Sequence, residues 1–142
     1  MAHRMRCGKG YELAVFGLLT LADFDVYAPL VDDQGIDGII RIEGENASHY
    51  FELQVKGGKT WSSIRCDTAA LRTNSVLILF CDKTKEVFWF LRDEAVACFP
   101  EVASEWGNVF LKADQVRQYK DEGRCDLGRL LHALETTGAV ST

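Results

Sequence analysis

The amino-acid sequence predicts an α/β fold in which a mixed central sheet of about five strands is flanked by helices. Two observations support this fold class. Segments with the two-residue alternation of strands and segments with helical periodicity follow one another in the order αβββαββ, with further helices at the end. The run Val76–Cys81 is apolar throughout, which is typical of a strand covered on both faces.

The first half of the chain predicts one helix followed by three strands. Gly10–Ala22 is almost entirely apolar and predicts a largely buried helix. Asp23–Leu30 alternates between apolar and polar residues and predicts a strand. Ile36–Ile42 and His49–Lys56 predict two strands that pair antiparallel, because only a short loop joins them. Turns are predicted for the intervening segments Val31–Gly35 and Glu43–Ser48.

The second half predicts two more strands and several short helices. The strand pattern breaks at Gly57–Thr60, and a short helix is predicted at Thr68–Arg72. The turn Asp82–Lys85 then separates the continuous apolar strand from a strand at Glu86–Leu91. The remaining helical segments are Asp93–Cys98, Asp114–Lys120 and Asp126–Glu135.

The composition is that of a globular protein. The 142 residues have a mass of 15.9 kDa, which predicts a single domain over residues 1–142. Hydrophobic residues make up 47% and charged residues 26%, so the chain can form a core without disulfides or a structural metal. The formal charge of −5 and the pI of about 5.2 weigh against a partner bound through bulk positive charge, such as a nucleic acid or an anionic membrane.

The cysteines indicate a reducing compartment. The five cysteines are widely spaced and form no Cys-x-x-Cys or Cys/His cluster, so they do not fit a zinc ribbon. Cys81 and Cys98 lie in apolar stretches and are predicted to be small core residues. We find no leader pattern and no run of about 18 apolar residues, and we therefore expect a cytoplasmic protein that does not span a membrane.

The strand His49–Lys56 has two unlike faces and is the informative segment for function. Its alternation places Phe51, Leu53 and Val55 on an apolar face, and Glu52, Gln54 and Lys56 on a polar face. Asp37 lies on the neighbouring strand, just after the predicted glycine turn. Oxygen ligands beside a lysine favour a site for a divalent cation and a phosphate. The alternative is a solvated face of an antiparallel sheet.

Glu12 is a carboxylate within an apolar helix. Burying it without a charged or metal partner would be unfavourable, which favours a place in the same site. The alternative is an exposed position in the first helical turn, where a glutamate interacts favourably with the helix dipole.

These segments resemble a known family of enzymes. The strings GYELAVFGLLTLADFDVYAPLVDDQGIDGII and HYFELQVKGGK are similar to the core of the PD-(D/E)xK nuclease superfamily, which has the restriction-endonuclease-like fold. The chain most resembles the branch in which the last motif is Gln-x-Lys, as in the group I intron homing endonucleases of this superfamily. Holliday-junction resolvases are similar in size and motif order. The resemblance covers Gly10–Leu91 and implies hydrolysis of DNA phosphodiester bonds with Mg²⁺ or Mn²⁺.

The resemblance also implies roles for four residues. By position, Glu12 matches the glutamate of the first helix, and Asp37 matches the metal-binding aspartate. Gln54 stands where the family usually has its second acid, and Lys56 matches the catalytic lysine. The expected metal ligands are therefore Asp37, Gln54 and Glu12, with Lys56 orienting or helping to deprotonate the attacking water.

Two departures from the family pattern bear on activity. Ile36 replaces the proline that usually precedes the aspartate, which changes little chemically. Gln54 removes one negative charge from the metal site, although its amide oxygen can still coordinate Mg²⁺. Glu52 would compensate only through water or a shifted metal. Two alternatives therefore stay open: a non-catalytic nucleic-acid-binding module with a degenerate site, and an unrelated α/β interaction protein.

Basic residues near the proposed catalytic strand predict where DNA would bind. Residues 56–72 carry four basic side chains against Asp67 alone, and we expect Lys59, Arg65 and Arg72 to contact DNA. The first ten residues add Arg4, Arg6 and Lys9.

Three further features near this strand have two interpretations each. Gly57 and Gly58 suit either a backbone approach to DNA or a plain turn. Trp61 suits base stacking or, preferably, the core. The apolar strand Glu86–Leu91 would serve the core and a dimer contact, and cleavage of both strands of a duplex makes a homodimer or higher homo-oligomer the expected assembly.

Overall fold

The computed structural model describes residues 2–29, 36–66, 68, 71–99 and 110–140, with the backbone alone described for residues 2–7 and 138–140. The helices are α1 (Ala2–Leu21), α2 (Arg92–Cys98), α3 (Ala113–Asp121) and α4 (Leu127–Val140). The strands are β1 (Asp25–Tyr27), β2 (Gly38–Glu43), β3 (Ser48–Gly58), β4 (Ser75–Cys81) and β5 (Glu86–Leu91), and a 3-10 helix, η1, spans Trp61–Ser63. Among the described helices, none has the length and apolar character needed to cross a membrane.

Within the described residues, five strands form one mixed sheet in the order β1-β2-β3-β4-β5. Strands β3 and β4 are parallel, and the other neighbouring pairs are antiparallel. The register pairs Gly38 with Leu53 at the start of β2, and it pairs Lys56 with Leu79 where β3 continues beyond β2. The predicted fold class is confirmed, since a mixed five-stranded sheet is flanked by helices.

Both faces of the sheet are covered, and this explains why β4 is apolar throughout. All seven residues of β4 are buried. Helices α1 and α4 pack on one face, and α2 and α3 pack on the other. Alternate β4 side chains divide between the two faces, with Val76, Ile78 and Phe80 on the first and Leu77, Leu79 and Cys81 on the second.

Several boundaries differ from those predicted by the sequence. Helix α1 begins at Ala2 rather than Gly10, because the early glycines do not interrupt it. Strand β3 continues to Gly58 through the predicted break. The helix predicted at Thr68–Arg72 is not observed, since the described residues of that range are not helical and η1 lies earlier in the crossover. The turn predicted at Val31–Gly35 lies outside the described residues.

The two glycines at the end of β3 are required by close packing. A Cβ atom at Gly57 would lie 2.4 Å from Cδ2 of Tyr11 on α1. A Cβ atom at Gly58 would lie 2.7 Å from Oγ of Ser63 in η1. Of the two interpretations considered from the sequence, the plain turn is wrong, because β3 runs through both glycines and Tyr11 and Ser63 pack against them.

Strand β5 is an edge strand whose side chains and backbone are both engaged. Residues 87–90 are buried, so they belong to the core and offer no exposed apolar side chain for the predicted dimer contact. The outward backbone N–H of Trp89 donates to the carbonyl oxygen of Arg124 at 3.1 Å. The N–H of Leu91 donates to Oε1 of Glu94 at 3.0 Å.

Candidate active site

Asp37 is fixed where β2 begins beside β3. Its backbone N–H donates to the carbonyl oxygen of Leu53 at 2.9 Å. Its Oδ2 atom accepts a hydrogen bond from the N–H of Val55 at 2.7 Å. The register of β2 starts at Leu53, so the carboxylate takes the place of a strand partner for Val55. One carboxylate oxygen of Asp37 is therefore held by the sheet itself.

Glu12 reaches the same place from α1. Its pKa is raised by burial, by repulsion from the Asp37 carboxylate and by a hydrogen bond with Asp37, against an opposing effect of Lys9. The Lys9 ammonium is 3.4 Å from the Glu12 carboxylate, whose side chain is 20% exposed. Since α1 begins at Ala2, Glu12 lies well beyond the first turn, so the helix-dipole alternative is wrong. Glu12 and Asp37 are therefore neighbouring carboxyl groups, and this raises the pKa of Glu12.

Gln54 and Lys56 follow on β3. Residues two apart on a strand point to the same face and are about 6.6 Å apart. The side chain of Gln54 is only 4% exposed, and Lys56 is half-buried. The neighbouring Phe51, Leu53 and Val55 are buried, as predicted for the apolar face. The polar face of β3 is therefore largely covered by protein rather than solvated.

Glu52 is engaged elsewhere. Its Oε1 atom lies 2.9 Å from Nη1 of Arg72, in an ion pair across the start of β4. This pair holds Glu52 about 13 Å along the strand from Lys56. Glu52 is thus not placed to supply the negative charge that Gln54 removes from the metal site.

The donor set suits one hard cation. Glu12 and Asp37 offer carboxylate oxygens and Gln54 an amide oxygen, the ligand type that Mg²⁺ and Mn²⁺ prefer when water completes the shell. Among the side chains described, no group of three or more His, Cys, Asp or Glu residues is arranged for a metal. A cation bound between Glu12 and Asp37 would offset the repulsion between their carboxylates.

The basic residues predicted to contact DNA have different surroundings. Lys59 is exposed just after β3, and Arg65 is exposed at an isolated bridge to Phe110. Arg72 is exposed but paired with Glu52. Asp67, which the sequence count set against them, lies outside the described residues.

Trp61 belongs to the core, as preferred from the sequence. Its ring stacks on Phe88 with centroids 4.0 Å apart and an interplanar angle of 17°. It is one of the half-buried side chains packed against the cluster between the sheet and helices α2 and α3. One face of the ring is therefore taken by Phe88.

The sequence did not reveal that a second basic segment lies beside Lys59. The N–H of Lys83 donates to the carbonyl oxygen of Lys59 at 2.9 Å, and the N–H of Asp82 donates to that of Gly58 at the same distance. The sequence alone does not show that Lys59 and Lys83 are neighbours. They are brought together because β3 and β4 pair in parallel, which places the turn after β4 next to the end of β3.

Comparison with known proteins identifies the class of fold. The five-stranded mixed sheet of the described residues, with its flanking helices, is that of a nuclease-like α/β fold. The chain is similar to the bacterial homing endonuclease I-Ssp6803I, with a TM-score of 0.63, 14% sequence identity and coverage of 95% of each chain. No family model and no curated protein sequence matches the chain. At this identity the similarity shows the fold.

Proposed function

We propose that the protein is a metal-dependent DNA endonuclease of the PD-(D/E)xK type, in its Gln-x-Lys form. The observation that carries this proposal is the Asp37 carboxylate, which the N–H of Val55 holds next to Glu12 and beside the strand that bears Gln54 and Lys56. The similarity of the fold to that of a homing endonuclease supports it.

Asp37, Gln54 and Glu12 would hold Mg²⁺ or Mn²⁺. The bound cation supplies polarisation of the phosphoryl oxygen and a more acidic water. The hydrogen bond from Val55 to Oδ2 of Asp37 fixes the orientation of that carboxylate. With the cation bound, Glu12 and Asp37 would both be charged, and Lys56 would orient the attacking water and neutralise charge that develops at phosphorus.

The proposal includes a homodimer or higher homo-oligomer, because cleavage of both strands of a duplex needs two sites. Sedimentation of the protein alone and with duplex DNA tests this part. A monomer in both cases, together with cleavage of both strands at one position, would reject it.

The activity is tested on plasmid and branched DNA with Mg²⁺. Lys56→Ala and Asp37→Ala should each reduce the cleavage rate by about 100-fold or more, because each removes a group that acts at the reacting phosphate. Matched controls are Lys120→Ala and Asp121→Ala on α3, which should cleave as the unaltered protein does. Equal cleavage by all variants would reject the active-site assignment.

A second candidate function is favoured by one residue. Gln54 is buried where the family usually has an acid, so the chain could be a DNA-binding module that has lost metal chemistry. Calorimetric titration with Mg²⁺ distinguishes the two. A degenerate site should bind Mg²⁺ only after Gln54→Glu, whereas an active site binds it in both forms. The remaining alternative, an unrelated interaction protein, predicts no binding to DNA at low salt.

A further inference from the structure

The charges of the molecule are separated between the two ends of the sheet. The end where β3 and β4 terminate and β2 and β5 begin also carries Asp37 and Lys56. Helix α1 passes this end as well, since Tyr11 contacts Gly57 and the backbone of residues 2–10 continues beyond that contact. This end of the sheet therefore holds the candidate active site and the first part of α1.

Four lysines surround this end, and we call them the lysine rim: Lys59, Lys83, Lys85 and Lys112. All are exposed. The Lys59–Lys83 backbone hydrogen bond joins the first two, and Lys83 and Lys112 line one open pocket of about 400 Å³. Lys85 is paired with Asp82. Among the residues described, the other three form no ion pair, so their ammonium groups are available to an anion.

The opposite end of the sheet is acidic. The turn after α1, the β2–β3 hairpin and α4 meet around two adjoining pockets there. Their charged lining residues are Asp23, Asp25, Glu43, Glu45 and Glu135, with Arg41 as the one arginine or lysine among the described lining residues. Arg41 is itself paired with Asp25 at 3.3 Å. Within a net charge of −5, exposed lysines therefore gather at one end of the sheet and acid-lined pockets lie at the other.

We propose that the lysine rim binds the phosphate backbone of DNA on one side of the bond that is cut, an inference that rests on the proposed nuclease function. Lys59 is three residues beyond Lys56, about 10 Å along the strand. This distance corresponds to about three base pairs along a duplex, so the rim reaches phosphates adjacent to the cleavage position. The acidic end faces away from the DNA and fixes its orientation by repulsion.

The rim differs from the contact surface expected from the sequence. It keeps Lys59 and adds three lysines that come from the β4–β5 turn and the residue before α3. Arg72 contributes less, because its guanidinium is already paired with Glu52. Lysine contacts to phosphate carry no base specificity, so the rim sets affinity and position rather than the sequence that is cut.

The test is binding of a fluorescently labelled duplex, followed by anisotropy in EDTA over a range of KCl concentrations so that cleavage plays no part. Lys59→Gln/Lys83→Gln should lower the slope of log affinity against log salt by about two. The double variant Lys59→Arg/Lys83→Arg should keep the slope. Arg41→Gln/Arg129→Gln removes the same charge elsewhere and should also keep it.

The outcomes of this experiment distinguish the lysine-rim proposal from the nuclease proposal. A slope unchanged by Lys59→Gln/Lys83→Gln, with the unaltered protein still binding, overturns the lysine rim and leaves the nuclease proposal intact. An equal loss in the Arg41→Gln/Arg129→Gln control also overturns it, because the effect would then be one of total charge. Failure of the unaltered protein to bind DNA at low salt in EDTA overturns the lysine rim, and if cleavage in Mg²⁺ is also absent it overturns the nuclease proposal as well.

Discussion

Two partly buried glutamates on different helices have opposite electrostatic surroundings. Glu94 on α2 lies 2.8 Å from Nη2 of Arg124 and accepts the N–H of Leu91. Burial raises its pKa, but these hydrogen bonds outweigh burial and the pKa is lowered overall. Glu12 on α1 has another carboxyl, Asp37, as its neighbour, and its pKa is raised.

The difference separates a group that stabilises the fold from one that does not. Glu94 is charged with a cationic partner built into the chain, and it also caps α2 by binding the N–H that precedes the helix. Glu12 is protonated more readily because its surroundings disfavour the charge. Pairs of buried carboxyls of this kind mark places where a cation or catalysis is expected rather than stability.

The largest effect is expected when the structural cluster is broken. Arg124 is 14% exposed, and its guanidinium lies 4.9 Å from the ring centre of Trp89 and 5.1 Å from that of Phe90. Arg124→Ala removes these contacts and leaves Glu94 without its cation. We expect the free energy of unfolding to fall by about 3 kcal/mol, measured by urea denaturation.

The control for this variant is Arg129→Ala on α4, whose side chain is 62% exposed. It should change the free energy of unfolding by no more than about 0.5 kcal/mol. A loss below about 1 kcal/mol for Arg124→Ala would show that the cluster does not hold α2 and the β5 edge as described.

A smaller effect with a defined pH dependence is expected for Glu94→Gln. The folded-state pKa of Glu94 is lowered, so its stabilising contribution is present above the unfolded-state value of 4.5 and is lost as pH falls through the folded-state pKa. At pH 7 the variant should be less stable by about 1 kcal/mol. The difference should shrink as thermal unfolding is followed to acid pH. A constant difference across that range would contradict the assigned pairing.

The smallest effect, with the opposite sign, is expected for Glu12→Gln without added metal. The folded-state pKa of Glu12 is raised, so its favourable contribution is present below the unfolded-state value of 4.5 and is lost as pH rises through the folded-state pKa. The variant should therefore equal or exceed the unaltered protein in stability at pH 7, by about 0.5 kcal/mol at most, since the exposed Lys9 pair contributes little. A clear destabilisation at pH 7 would show that Glu12, like Glu94, stabilises the fold when it is charged.

Local patterns predicted most of the fold. The two-residue alternation of β3 identified its buried face, and the unbroken apolar run identified β4 as the strand covered on both sides. The start of α1 was missed because Gly8 and Gly10 have low helix propensity, and both stand where a side chain would meet nothing. The end of β3 was missed because Gly57 and Gly58 are weak strand formers that the packing of Tyr11 and Ser63 requires.

The site was predictable only as a set of residue types. The resemblance named Glu12, Asp37, Gln54 and Lys56, and the structure places Glu12 beside Asp37. The bond from Val55 to Asp37 depends on where β2 begins relative to β3, which is a matter of register. The Arg124–Glu94 cluster joins segments that are distant in the chain, so no local sequence pattern predicts it.

The contacts at the outer edge of β5 also determine how the sheet can grow. Free N–H groups on an edge strand are templates on which another chain can add a strand and begin to aggregate. In β5 the outward N–H groups of Trp89 and Leu91 are taken by Arg124 and Glu94, and Nη1 of Arg124 approaches the carbonyl oxygen of Trp89 at 3.5 Å. Strand β1, at the other edge, has only three residues. Self-association by strand addition is thus opposed at both edges of the sheet. At β5 the N–H groups of Trp89 and Leu91 already have hydrogen-bond partners, and at β1 the strand is too short to pair well with another chain.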